Sequence, residues 1–246
     1  AGAVLEPERT VVVTGYGGEQ VAASARDYGP TVDIAVQAEQ LGTAHAVAQA
    51  RAALADFDGD AIVLYSDTPF ISEPTLRAMA EARMQHDVVV LGFEAADPAR
   101  YGRLVTEGDD LMRIVEFKDA TDAERAITLC NSGVVAARAE TLFSLIDAVG
   151  NDNASGEYYL TDIVGIARAR GLTATVVRCP EAETLGINSR KDLAAAEAAF
   201  QARARAEALE TGITLPAPET VHFAWDTVVG RDSEIEQNVV FGPGVT

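Results

Sequence analysis

Ala61-Ile62-Val63-Leu64-Tyr65-Ser66-Asp67-Thr68-Pro69 is the stretch on which the fold turns. It is apolar from Ala61 to Tyr65, then breaks into a small polar residue, a carboxylate and a proline. A run without alternation predicts a strand buried on both faces, as in a parallel sheet covered by helices. In open α/β sheets ligands bind at the carboxyl ends of strands, where Asp67 emerges. A lone aspartate there either caps the following turn or holds a hard cation such as Mg²⁺, which takes one or two protein carboxylates beside substrate phosphates. The stretch alone leaves both open.

On either side, strand-like and helix-like segments alternate. Residues 10–15 form a β-branched run ending in glycines. Helical character follows over 19–28, then a short strand at 31–36 and an alanine-rich helix reaching about Leu54. Residues 73–85 read as a helix entered through Ser72 and Pro74, and 87–93 as another strand. This rhythm predicts a largely parallel sheet covered on both faces. The middle region reads as a hairpin whose tip is Glu107-Gly108-Asp109-Asp110. A short helix follows, with Thr121 and Glu124 spaced for a capping box. Strands at 130–136 and 173–179 flank helices over 139–149 and from Glu157 to about Gly171. Residues 190–209 are a long alanine-rich helix, and 211–220, with Gly212, Pro216 and Pro218, read as a boundary. In the tail, Val229, Ile235 and Phe241 put an apolar residue at every sixth position, the signature of a parallel β-helix.

The chain has 246 residues, 48% hydrophobic and 23% charged, as in ordinary globular proteins. A net charge of −19 argues against nucleic acid, which needs a basic footprint. It leaves room for a nucleotide, because a divalent cation and a few basic groups set the field at one site. No apolar stretch suits a membrane span and no signal peptide is visible, so membrane insertion is not expected and the cytoplasm is the default compartment. Cys130 and Cys179 lack metal-ligand spacing and read as buried free thiols. His45, His86 and His222 are scattered and read as structural or surface residues.

Several segments together resemble one family. They are 37–46 (Gln-Ala-Glu-Gln-Leu-Gly-Thr-Ala-His-Ala), Tyr65-Ser66-Asp67, Tyr101-Gly102-Arg103, 114–120, Asn131-Ser132-Gly133, 156–162 and Gly186-Ile187-Asn188. With the hexapeptide tail, their order and spacing resemble bacterial N-acetylglucosamine-1-phosphate uridylyltransferase. That family is bifunctional, with a glucosamine-1-phosphate acetyltransferase on a left-handed β-helix. The resemblance implies a Rossmann-like α/β nucleotidyltransferase domain over 1–189 with a mixed, mostly parallel sheet. A linker helix and loop over 190–220 and the first β-helix coils over 221–246 would follow.

By the same resemblance, Gln37, Gly42 and Thr43 would contact the uridine. Asp67 and Asn188 would hold the catalytic Mg²⁺. Gly102, Glu116 and Asn131 would bind N-acetylglucosamine, with Tyr65 and Thr161 lining the cleft. The implied reaction joins UTP to N-acetylglucosamine 1-phosphate, giving UDP-N-acetylglucosamine for cell-wall precursors and pyrophosphate, in a homotrimer. The nucleophile is a phosphate monoester, largely dianionic near neutral pH, so no general base is required. The chain departs from the family twice. Ser66 stands where many relatives have glycine. The family's glycine-rich phosphate loop is also not present, and residue 1 reads as the end of the helix that would follow it. The chain is therefore expected to be truncated at both ends and, alone, to transfer little uridylyl. The alternatives are a non-catalytic sugar-nucleotide-binding protein and a nucleotidyltransferase for another sugar or alcohol phosphate.

Overall fold

The computed structural model describes residues 5–27 and 32–246. It comprises two compact units, Ala1–Leu185 and Gly186–Thr246. In the first, β1 (Thr10–Thr14) pairs in parallel with β2 (Val32–Val36) through α1 (Gly18–Asp27). Tyr28 and Thr31, the expected ends of that helix and strand, and the helix end expected at residue 1, lie outside the described residues. Next come α2 (Thr43–Ala48), tightening into a 3₁₀ segment Gln49–Leu54, then β3 (Asp60–Val63), α3 (Glu73–Arg83) and β4 (Val88–Glu94). The hairpin β5 (Arg103–Glu107) and β6 (Asp110–Val115) follows, then α4 (Asp122–Arg125), β7 (Leu129–Arg138), α5 (Ala139–Ile146), α6 (Asp162–Ala169) and β8 (Ala174–Cys179). Local signals place several ends. Ser72 caps α3 ahead of Pro74, and Thr121 and Glu124 form the expected capping box on α4.

The second sheet has the order β3-β7-β4-β8-β6-β5. It is mixed, as expected, but the expected predominance of parallel pairs is corrected: within this sheet only β4 and β8 pair in parallel. β3 and β4 point the same way, as the crossover through α3 requires. A strand from much later in the chain, β7, fills the place between them antiparallel to both. That pairing is nonlocal and no local pattern encodes it.

The expectation for residues 61–65 is also corrected. The strand ends at Val63, pairs only with β7, and its apolar residues are half-buried. The strand buried on both faces is β4. Val88 and Val90 pack with Leu142, Leu145 and Ile163 of α5 and α6. Val89, Leu91 and Phe93 pack with Leu76 and Met79 of α3. An apolar run without alternation is what such a position demands. Cys130 and Cys179 are buried and unpaired, and burial pushes the Cys179 thiol up to about 11.

Arg103, at the start of β5, is 2% exposed. Its guanidinium donates to four backbone carbonyls, Pro98 and Ala99 at 3.2 Å, Arg125 at 3.4 Å, and Tyr101, and also engages the Cys130 thiol. The planar fork thereby ties the turn 98–101, with Ala99 at φ 38°, to the end of α4. The ring of Phe117 lies 5.8 Å from this guanidinium and 4.9 Å from that of Arg125.

In the second unit, α7 (Arg190–Glu210) starts at Ser189, whose hydroxyl accepts from Asp192 N, while Asp192 accepts from Asn188 N at 3.2 Å. Gln201, buried in this helix, donates to Phe223 O at 2.8 Å and accepts from Phe223 N at 2.9 Å. The chain beyond it returns on itself in parallel. Thr214 bridges Glu234, and His222 bridges Val240 three six-residue periods later. Ile235 is buried among Ile213, Leu215, Val221 and Phe223, with Val229 and Phe241 packed against that cluster. Among the described residues no helix is long and apolar enough to cross a membrane.

Replacing Arg103 by methionine would leave the carbonyls of residues 98, 99, 101 and 125 without this donor. Arg103→Met is expected to lower the urea stability by about 3 kcal/mol or more. An unchanged midpoint would mean that water satisfies the turn instead.

Candidate functional site

The residues singled out from the sequence in the first unit meet along one continuous line of contacts. It starts at the end of β2. The buried Gln37 amide donates from Nε2 to Gly42 O at 3.0 Å and stands 3.0 Å from His45 Nδ1. Gly42 has φ 117°, and a Cβ there would lie 2.5 Å from Tyr158 O. Only glycine allows both that conformation and that approach. The approach is fixed by Tyr158 N donating to Leu41 O at 2.8 Å and Ala44 N donating to Tyr158 O at 2.9 Å. Residues 157–161, expected to open a helix, instead make this turn, and α6 begins at Asp162. Next along, Thr43 Oγ1 accepts from Leu160 N at 2.9 Å.

Thr43 faces the phenol of Tyr65, just beyond β3. Burial pushes that phenol up from its ordinary value; the Thr43 hydroxyl opposes this, and the Glu116 and Asp67 charges add to it. The ring of Tyr65 lies over Gly133 of β7, where a Cβ would come within 2.8 Å of it and φ is 92°. Gly133 N donates to Asn131 Oδ1 at 3.0 Å. Asn131 N donates to Gly102 O at 2.8 Å, through the contact of β7 with the start of β5. Glu116, just after β6, brings Oε1 to within 3.4 Å of where a Gly102 Cβ would stand and accepts from Thr161 Oγ1 at 3.0 Å. Thr161 thus spends its hydroxyl on Glu116 rather than capping α6.

The electrostatics follow from burial. The Glu116 carboxyl is raised above the usual carboxylate range by burial, opposed by the Thr161 bond and reinforced by Asp162 and Asp119. A pocket opens here, lined by Tyr65, Asn131, Gly133, Leu160 and Thr161 among others. Among the described residues the side-chain N–H groups of Asn131 donate no hydrogen bond, and they lie near the carboxylate of Glu116. A donor and an acceptor side by side suit a hydroxyl- or amide-bearing ligand.

Asp67 is half-buried, and its carboxylate has no hydrogen bond or ion pair among the described residues. The turn that a capping Asp67 would close is closed by Thr68, whose N and Oγ1 both reach Tyr65 O. Asn188 belongs to the second unit, where it is exposed ahead of α7. Among the described residues no cluster of three His, Cys, Asp or Glu is placed to hold a metal. Three residues of this line were not given roles from the sequence: Gly133, Tyr158 and His45. Gly133 and Tyr158 sit inside quoted motifs, and their part is visible only in the close approaches they allow.

The profile of the Nucleotidyl transferase family matches residues 6–177. The chain is 67% identical over 232 residues to the "Bifunctional protein GlmU" of Ruegeria sp. (strain TM1040), covering 94% of this chain and 52% of that protein. It is 66% identical over 242 residues to the protein of the same name from Roseobacter denitrificans, covering 98% and 54%. It thus spans about half the length of these relatives. Among solved structures, a nucleoside-diphosphate-sugar pyrophosphorylase from Vibrio cholerae RC9 superposes with a TM-score of 0.61 at 16% identity, covering 78% of this chain and 82% of that one.

Two outcomes test this geometry. Gly42→Ala is expected to cost about 2 kcal/mol or more, from strain plus collision with Tyr158. Gly17→Ala, which has φ 72° and nothing near its Cβ, is expected to cost only about 1 kcal/mol. Equal urea midpoints for the two would remove the collision. For Glu116, the folded-state pKa lies above the unfolded one. Its stabilisation is therefore full below the unfolded value and is lost as pH rises through the folded value. Glu116→Gln is expected to unfold at higher urea than the parent at neutral pH, with the gap closing below about pH 4. A pH-independent gap would contradict the raised pKa.

Proposed function

Because the chain belongs to the nucleotidyl transferase family, we propose that it carries the uridylyl-transfer site that makes UDP-N-acetylglucosamine from UTP and N-acetylglucosamine 1-phosphate. The observation that carries this is the unbroken contact line from Gln37 to Thr161, passing beside a half-buried aspartate that has no hydrogen bond or ion pair among the described residues. The high identity to relatives named "Bifunctional protein GlmU" supports the reading.

On this reading Gln37, Gly42 and Thr43 hold the uridine. Gly42 lets the nucleotide lie against bare backbone, as its lack of a Cβ allows. Gly102, Glu116 and Asn131 hold the N-acetylglucosamine, with Tyr65 and Thr161 closing the wall around it. Glu116 accepts from a sugar hydroxyl while Thr161 fixes its rotamer. Asn131 donates from its amide because Gly133 N already occupies its oxygen.

By the family resemblance, Asp67 and Asn188 would be the protein ligands for Mg²⁺. The donor set fits: a carboxylate with no competing partner and an amide oxygen are hard donors. When bound, the ion neutralises charge between the two anionic substrates and orients them in line. Asp67 contributes the negative charge and Asn188 a neutral oxygen. None of the residues in this site need move a proton, since the attacking phosphate is already ionised. The chain's part is to align and to exclude water.

For the second unit we propose the opening coils of a left-handed β-helix, the element through which the family assembles as a trimer and forms its acetyltransferase. The parallel bridges one coil apart and the inward Ile235 support this. Trp225, Val228 and Val240 stay exposed and suit burial against further coils or copies.

The decisive measurement is pyrophosphate release in a protein spanning the full length of the relatives. Asp67→Ala is expected to lower kcat by about 10²–10³-fold with the melting temperature unchanged. Asn131→Ala is expected to raise KM for the sugar phosphate with a smaller effect on KM for UTP. Undiminished turnover in Asp67→Ala would take the residue out of the site.

A further inference from the structure

Two segments of the site bond to one strap, residues 153–161, from opposite sides. Residues 41–44, on the uridine side of the proposed site, meet it at Tyr158 and Leu160. Tyr158 N donates to Leu41 O, Ala44 N donates to Tyr158 O, and Leu160 N donates to Thr43 Oγ1. Residues 116–119, on the sugar side, form a turn closed by Asp119 N donating to Glu116 O at 3.0 Å. That turn also meets the strap. Thr161 Oγ1 donates to Glu116 Oε1, Ala154 N donates to Asp119 Oδ1 at 3.0 Å, and Lys118 Nζ donates to Ser155 Oγ at 2.9 Å. Among the described residues no hydrogen bond joins 41–44 to 116–119 directly. Their register runs through the strap.

The strap is stiffened from within. Asn153 Oδ1 accepts from Ser155 N at 3.2 Å and from Glu157 N at 3.3 Å, and its Nδ2 donates to Glu157 O at 2.6 Å. Gly156, at φ 68°, closes the same turn, its N donating to Asn153 O at 3.1 Å. With its neighbours bonded inward, Ala154 N is left to the Asp119 carboxylate. Of the two outer contacts, Lys118 to Ser155 uses a long side chain with many rotamers. Asp119 to Ala154 joins a short side chain to backbone and is charge-assisted, so it constrains the turn more tightly.

We propose that Asp119 is a positioning residue for the sugar half of the site: by latching the strap to the turn 116–119, it holds Glu116 in register with the segment 41–44. This deepens the uridylyl-transfer reading and rests on Glu116 meeting the sugar. Without the latch, one lysine side chain and one hydroxyl hold the turn to the strap, and the Glu116 carboxylate samples more positions. Asp119 has a second, separable effect, since its charge acts on both Glu116 and Asp162. A latch requires an oxygen; a field requires a charge.

Calorimetric titrations with UDP and UDP-N-acetylglucosamine, in a protein spanning the full length of the relatives, separate these effects. Asp119→Ala is expected to weaken UDP-N-acetylglucosamine about fivefold, the worth of one hydrogen bond, and to leave UDP within about twofold. Asp119→Asn, which keeps Oδ1 and loses the charge, is expected to bind both as the parent does. Equal losses in the two variants would overturn the latch in favour of the charge. Equal weakening of the two ligands in Asp119→Ala would make the effect a general structural one and overturn the sugar role. Amide exchange reads the latch without any ligand. Ala154 N–H is expected to be protected in the parent and in Asp119→Asn, and released in Asp119→Ala; free exchange in the parent would overturn the proposal. Unchanged binding in Asp119→Ala, where Glu116→Ala is impaired, overturns the latch alone. If Glu116→Ala keeps the parent's affinity for UDP-N-acetylglucosamine, or the parent binds neither ligand, the underlying reading of the site falls and the proposal with it.

Discussion

The site depends on the way β7 is shared. β4 pairs with it over most of its length, from Glu94 opposite Leu129 to Val88 opposite Ala137. Its other edge is divided, with β3 taking Val135–Arg138 and the start of β5 meeting Cys130. At that division the chain must pass from one partner to another within a few residues, and Asn131, Ser132 and Gly133 occupy the gap. The ladder is broken on the β4 side too, where the register shifts between Val90 and Gly92. Backbone groups freed there are met by side chains: Ser132 Oγ donates to Leu91 O at 2.7 Å and accepts from Val134 N. A bulged strand re-aims its side chains, and such irregularities concentrate beside functional sites. Here it turns Asn131 toward Gly102 and opens Gly133 to the ring of Tyr65. A slip of one residue in β7 would exchange its faces and undo both contacts at once.

The charge around this site runs against its proposed ligands. The chain carries a net charge of −19, and the carboxyls of Glu116 and Asp162 are raised by burial first and then by neighbouring carboxylates, Asp162 and Asp119 acting on Glu116 and Asp119 on Asp162. On the proposed reading, anionic substrates would meet a repulsive field unless a cation is present, and Asp67 would hold that cation. Gln37, Thr43 and Asn131 would supply orientation, while charge neutralisation would fall to the metal.

Local signals made much of the fold legible. The Ser72–Pro74 entry, the Thr121–Glu124 capping box and the glycine tip of the β5–β6 hairpin sit where short-range physics places them. What short-range patterns do not carry is partner choice. Residues 61–65 and 88–94 are similar apolar runs, yet one belongs to a half-buried strand and the other to the centre of the sheet. Nothing in either run names β7 as the neighbour. The site shows the same divide. Gly102 and Asn131 were singled out through family resemblance, and their direct contact is a product of nonlocal pairing. His45 reads from the sequence as a scattered histidine because its contacts with the Gln37 and Gln49 amides exist only in the fold. Tyr158 looked like part of a helix because its role is to offer backbone, not side chain, to Gly42.

The carbonyl cage around Arg103 has a consequence for how this region tolerates change. Its carbonyl acceptors are main-chain atoms of residues 98, 99, 101 and 125, and beside them only the Cys130 thiol among the described side chains joins in. Neighbouring positions in the turn are free to drift, because any residue that keeps the backbone path presents the same oxygens. The whole informational load falls on position 103. Lysine cannot inherit it, since a point charge with three donors does not span a planar fork of five. One codon thus stands surety for a turn whose other letters are negotiable.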